Sequence, residues 1–98
     1  MSGTLDIRRD GSITRVTLSN PDRRNAISAP MWKALLAFAT ETGTDQACRA
    51  VIVAGEGSVF SAGADISGFE SGRSGSGALA YDDLVETALR AIEAMPQP

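Results

Sequence analysis

The chain has 98 residues, is 43% apolar and carries a net charge of −3. These values suit one small globular domain or a piece of a larger one. With no basic cluster beyond Arg8-Arg9 and Arg23-Arg24, they argue against a dedicated nucleic-acid binder.

Histidine is absent, which removes the commonest general base and metal ligand. Cys48 is the single cysteine, so an internal disulfide and a cysteine-based zinc site are excluded. A lone free thiol fits a reducing cytoplasm. The first ten residues carry charges and no long apolar run, so no signal peptide is expected. No segment approaches the roughly 20 apolar residues of a membrane span.

In chain order, residues 5–9 and 12–19 flank Asp10-Gly11, a strong hairpin signal. Alternation puts Val16 and Leu18 on one face and Ile13 on the other. Asn20-Pro21-Asp22 ends the strand. Ser28 is placed to cap a helix with Pro30 in its first turn. Met31, Leu35, Phe38 and Ala39 then follow at helical spacing, widened by Trp32 and Leu36. The helix is expected to reach about Glu41 and end near Gly43.

Residues 49–54 read as a strand whose unbroken apolar run predicts burial on both faces. Strand, helix, strand is the order of a right-handed crossover between parallel strands. Residues 71–77 are a flexible Gly/Ser stretch. Residues 81–95 return to helical spacing, with Leu84, Ala88, Ile92 and Met95 on one stripe and Val85 and Leu89 beside it. The central strand wants parallel neighbours on both sides, and nothing after the second helix supplies one, so a fragment is expected.

The segment Val59-Phe60-Ser61-Ala62-Gly63-Ala64-Asp65-Ile66 carries the chemistry. It is a loop of small residues following a buried strand, where a ligand can come close to the backbone. A backbone N–H in such a loop can point at developing negative charge, as an oxyanion hole requires. The plainer reading is an ordinary strand-to-helix turn. Ser61 is a poor nucleophile candidate, since Val59 breaks a G-x-S-x-G elbow and no histidine can serve as base. Asp65 suits a helix N-cap better than a catalytic acid. Gly55-Glu56-Gly57 lacks the lysine and spacing of a phosphate-binding P-loop. Trp32 reads as a core or interface residue, Cys48 as inert, and Glu86 with Glu93 as a solvated helix face.

Three segments together carry a family resemblance: Asn20-Pro21-Asp22-Arg23-Arg24-Asn25-Ala26-Ile27, Ala50-Val51-Ile52-Val53-Ala54-Gly55 and Phe60-Ser61-Ala62-Gly63-Ala64-Asp65-Ile66. In order and spacing they resemble the N-terminal part of the enoyl-CoA hydratase/isomerase (crotonase) family, over essentially the whole chain. The resemblance implies an α/β fold of ββα repeats, of which residues 1–98 would be the N-terminal portion: hairpin, helix, buried parallel strand and second helix. It implies acyl-CoA thioester substrates, no metal, no cofactor beyond the CoA of the substrate, and a homotrimer or hexamer at full length.

Carried over residue by residue, the Ala64 N–H would donate to the thioester oxygen. Arg23, Arg24 and Ala26 would line the CoA groove, and arginine suits phosphate through charge and fork geometry. Ala62, Ala64, Asp65, Ile66 and Ser67 would hold the acyl-pantetheine end. The family's second N–H donor and catalytic carboxylates lie in later segments. Losing one such donor costs about 3–4 kcal/mol of transition-state stabilisation, so these residues alone are expected to be a poor catalyst. The leading expectation is therefore a hydratase or isomerase of unsaturated acyl-CoA, a lyase or isomerase at full length. The alternative is a fragment that binds CoA or a homologous subunit without turnover.

Overall fold

A computed structural model describes residues 3–63 and 76–98. Strands β1 (Thr4–Asp10) and β2 (Ile13–Ser19) form the expected antiparallel hairpin, in register from Asp10↔Ile13 to Thr4↔Ser19. Gly11 sits at φ +63, the left-handed turn conformation that Asp-Gly supplies. One turn of 3-10 helix (Pro21–Arg23) follows, then helix α1 (Ala29–Thr42) and strand β3 (Ala50–Gly55). β3 lies parallel to β2, giving the sheet order β1-β2-β3. Helix α2 (Ser76–Ala94) closes the described fold.

The sequence explains α1 directly. The Met31 N–H donates to the Ser28 side chain at 3.4 Å, and Pro30 occupies the first turn, where a missing N–H costs nothing. The Gly43 N–H closes the last turn on the Ala39 carbonyl at 2.9 Å. Met31, Trp32, Leu35, Phe38 and Ala39 are buried, as their spacing predicts. The first four pack with Val16 and Leu18 of β2 and Tyr81 and Ala88 of α2 to form the core. Each such Val or Leu side chain contributes about 1.5–3 kcal/mol on burial. Ile13, on the opposite face from Val16, is exposed.

Three expectations need correction. β3 is not buried on both faces: Ile52 and Val53, which point to opposite faces, are 42% and 45% exposed. The cause is position. Among the described strands β3 is paired only through β2, and α2 packs on α1 rather than on β3. Helix α2 begins at Ser76, not Tyr81, so Ser76 and Gly77 belong to it; residues 71–75 of the Gly/Ser stretch lie outside the described residues. Ile92 is exposed rather than part of the packed stripe, since the helix face toward the core is set by Tyr81, Leu84, Val85 and Ala88, with Met95 packing from just past the helix end.

Past α2 the chain returns to the sheet. The Gln97 Nε2 donates to three carbonyls, of Thr42, Asp45 and Cys48, at 2.7, 3.3 and 3.2 Å. The Val51 N–H donates to the Pro98 carbonyl at 3.0 Å on the outer edge of β3. The Cys48 thiol is buried, 3.4 Å from the Thr14 hydroxyl.

Candidate functional site

Because β2 and β3 are parallel, their carboxyl ends lie side by side, with Leu18 in register with Gly55. Ligands of parallel sheets bind outside such ends. Two loops leave this edge: 20–27 after β2 and 56–63 after β3. They are joined by two backbone bonds. The Ala62 N–H donates to the Arg24 carbonyl at 3.0 Å, and the Ile27 N–H to the Gly63 carbonyl at 2.7 Å. The fold thus brings Arg23, Arg24 and Ala26 beside Ala62 and Gly63, from segments far apart in sequence.

Side chains reinforce the junction. Asn20 and Asn25 are both buried. The Asn20 N–H donates to Asn25 Oδ1 at 2.9 Å, and Asn20 Nδ2 donates to the Ala26 carbonyl at 2.8 Å. Asn25 Nδ2 reaches across to the carbonyls of Glu56 and Val59 at 2.8 and 2.7 Å. The Ser19 hydroxyl donates to the Glu56 carboxylate. Buried amides paired in this way avoid the desolvation penalty that an unpaired polar group would carry.

The first loop is wound tightly. Arg24 and Asn25 both have left-handed backbones, at φ 55 and 60. Asparagine tolerates this, whereas for arginine it costs about 1–2 kcal/mol. The turn persists because its neighbours fix it: the Asn25 and Arg23 N–H groups both donate to the Asn20 carbonyl, at 2.8 and 3.0 Å. Gly55 shows why a glycine ends β3: a Cβ there would strike the carbonyl oxygens of Val59 and Phe60. The second loop folds directly back over the strand end, leaving Phe60 57% exposed beside it.

A third connection comes from the helices. The Trp32 indole N–H donates to the Tyr81 hydroxyl at 2.9 Å, and that hydroxyl donates to the Ile27 carbonyl at 2.8 Å. Ile27 therefore links α1 and α2 on one side to Gly63 on the other.

The expected site residues divide as follows. Arg23 and Arg24 are exposed and free of described ion pairs, with Asp22 and Glu56 nearby in the same two loops. The described residues of these two loops therefore carry no net charge, and they offer guanidinium forks rather than a broad positive field. Ala26 is buried with both backbone groups paired, its N–H to the Arg23 carbonyl at 3.0 Å. Ala62 is exposed. Ala64, Asp65, Ile66 and Ser67 lie outside the described residues. The Ser61 hydroxyl accepts from the Gly63 N–H at 3.1 Å, a local turn bond.

Sequence reasoning assigned no side-chain role to Asn20, Asn25 or Tyr81. The signal for the asparagines was their placement on either side of a Pro turn, where Asn accepts left-handed backbone and bonds locally. For Tyr81 and Trp32 the signal was weaker: two aromatics with polar tips, each needing a partner when buried.

The profile described as Enoyl-CoA hydratase/isomerase matches residues 8–98. The chain belongs to the enoyl-CoA hydratase/isomerase family. Similar proteins include "Probable enoyl-CoA hydratase echA6" of Mycobacterium bovis, 30% identical over 96% of this chain and 36% of that protein. The mitochondrial Delta(3,5)-Delta(2,4)-dienoyl-CoA isomerase of Mus musculus is 35% identical over 55% of this chain and 16% of its own length. Among solved structures, an enoyl-CoA hydratase/carnithine racemase from Magnetospirillum magneticum superposes with a TM-score of 0.86 at 38% identity. It is matched over 96% of this chain and 36% of its own. AtuE of Pseudomonas aeruginosa superposes with a TM-score of 0.87 at 28% identity, over 96% of this chain and 37% of its own. The chain thus spans little more than a third of these relatives at most. Among the described residues no helix is long and apolar enough to cross a membrane.

Proposed function

We propose that the chain supplies the CoA-facing loops of an acyl-CoA enzyme of the hydratase or isomerase type. A backbone N–H of the 62–67 segment would stabilise the enolate-like charge that develops on the thioester oxygen. The observation that carries this reading is the joining of loops 20–27 and 56–63 at the carboxyl ends of two parallel strands. It presents two exposed guanidinium groups beside a backbone segment of small residues. Arg23 and Arg24 would meet the phosphates of CoA, and Ala62, Ala64, Asp65, Ile66 and Ser67 the acyl-pantetheine end. Ala26 would contribute by shaping the turn, since its own backbone groups are already paired. No metal is needed, because preorganised N–H donors do the electrostatic work. A trimer or hexamer and a cytoplasmic location belong to the same proposal.

Titration with acetyl-CoA tests it. Binding is expected for the parent chain and its loss for Ala64→Pro, which deletes the N–H; equal affinity in the variant sinks the oxyanion assignment. In a second reading, these residues by themselves bind CoA or a homologous subunit without turnover, since only one of the two expected oxyanion N–H donors is assigned among them. A crotonyl-CoA hydration assay on the 98-residue chain separates the two, since substantial turnover excludes the non-catalytic reading.

A further inference from the structure

We propose that Asn25 is a positioning residue: its side-chain amide sets the spacing between Arg24 and Ala62, and through them the shape of the ligand groove. The ligand half of this proposal rests on the acyl-CoA reading above; the coupling of the two loops does not.

The amide is used to capacity across the gap. Its oxygen accepts within its own loop, from the Asn20 N–H at 2.9 Å. Both hydrogens of its NH2 group go to the other loop, to Glu56 and Val59 at 2.8 and 2.7 Å. Those carbonyls bracket the bend that follows β3. Holding both fixes where the loop turns back, and so where Ala62 arrives against the Arg24 carbonyl.

Asparagine is specified on three counts. It accepts the left-handed backbone at φ 60. It offers two donors and an acceptor on one short stem. It is buried, so water does not compete for these bonds. Aspartate keeps the shape but has no donors and would set a carboxylate against two carbonyl oxygens. Glycine keeps the backbone but has no amide. Glutamine moves the amide by one methylene and cannot keep all three bonds in place.

The test compares the intact protein with Asn25→Asp and Asn25→Gly by amide hydrogen exchange and CoA titration, well below the unfolding temperature. In both variants, exchange at the Ala62 and Ile27 amides is expected to accelerate about tenfold, the equivalent of roughly one lost hydrogen bond, while the β2 amides of Val16 and Leu18 stay protected. The Kd for CoA is expected to rise by about the same factor. Unchanged exchange at Ala62 overturns the staple. Equal acceleration at Val16 and Leu18 overturns positioning, because the residue then only stabilises the fold. Accelerated loops with an unchanged Kd for CoA also overturn positioning. A parent protein that does not bind CoA, with accelerated loops in the variants, overturns the acyl-CoA reading and leaves the coupling standing. If Asn25→Asp does not fold, Asn25→Gly decides, because φ 60 is free for glycine.

Discussion

Replacing Tyr81 with phenylalanine removes one oxygen atom and with it the two hydrogen bonds described above, to Trp32 and Ile27. The ring remains, so no appreciable cavity opens. The Trp32 indole is buried and loses its only described acceptor, which costs about 1–3 kcal/mol for an unsatisfied donor. The bond to the partly buried Ile27 carbonyl contributes a further ~0.5–1.5 kcal/mol. Tyr81→Phe should therefore destabilise by about 3 kcal/mol, a large share of the roughly 5–15 kcal/mol available to a domain of this size. At about 4–8 °C per kcal/mol, that is a fall in Tm of roughly 10–25 °C.

Urea unfolding followed by tryptophan fluorescence suits the measurement, since Trp32 is the only tryptophan and lies at the site of change. The midpoint should fall with the slope unchanged. A loss under about 0.5 kcal/mol refutes the reasoning, because it is less than one typical hydrogen bond. Trp32→Phe in combination sharpens it. Donor and acceptor removed together leave no orphaned indole N–H, while the loss at the Ile27 carbonyl is the same as in Tyr81→Phe, so the double variant should be about 1 kcal/mol more stable than the sum of the singles predicts. Strict additivity would show that the two side chains do not act through the described bond.

Two further outcomes follow from local geometry. Gly55→Ala places a Cβ against the carbonyls of Val59 and Phe60, which are backbone and cannot swing aside. It should lower stability by about 3 kcal/mol and weaken any CoA binding, and a neutral Tm in differential scanning calorimetry counts against the fold-back of loop 56–63. Ser28→Ala removes the acceptor for the Met31 N–H and should cost about 1 kcal/mol by chemical denaturation; no change would mean that water or another group already caps α1.

The hairpin, the capped helix and the crossover were all legible because their signals are local. Asp10-Gly11, Ser28 with Pro30, and the spacing of Met31, Leu35 and Phe38 each act within a few residues. The exposure of Ile52 and Val53 was not legible. An apolar run states what a strand can tolerate, not what neighbours it meets. The helical start at Ser76 was hidden by composition, since Gly and Ser weigh against a helix in isolation but can be carried by a packed helix that follows. The site was legible only in part. Small residues near Ala62 pointed to close backbone approach, whereas the Asn25 amide works through residues 31 and 34 positions away, a separation no local pattern reports.

That separation also orders the assembly of the chain. The hairpin closes over a two-residue turn, so its entropic cost is small and its formation fast. β3 can join β2 only after α1 has been spanned, and Asn25 finds Glu56 and Val59 only once β3 is in register. Loop closure therefore favours completing the ligand-facing edge last. The interactions made there, being late, act mainly on the unfolding rate rather than the folding rate. Substitutions at Asn25 or Gly55 should thus shorten the lifetime of the folded state while leaving the speed of its formation almost untouched.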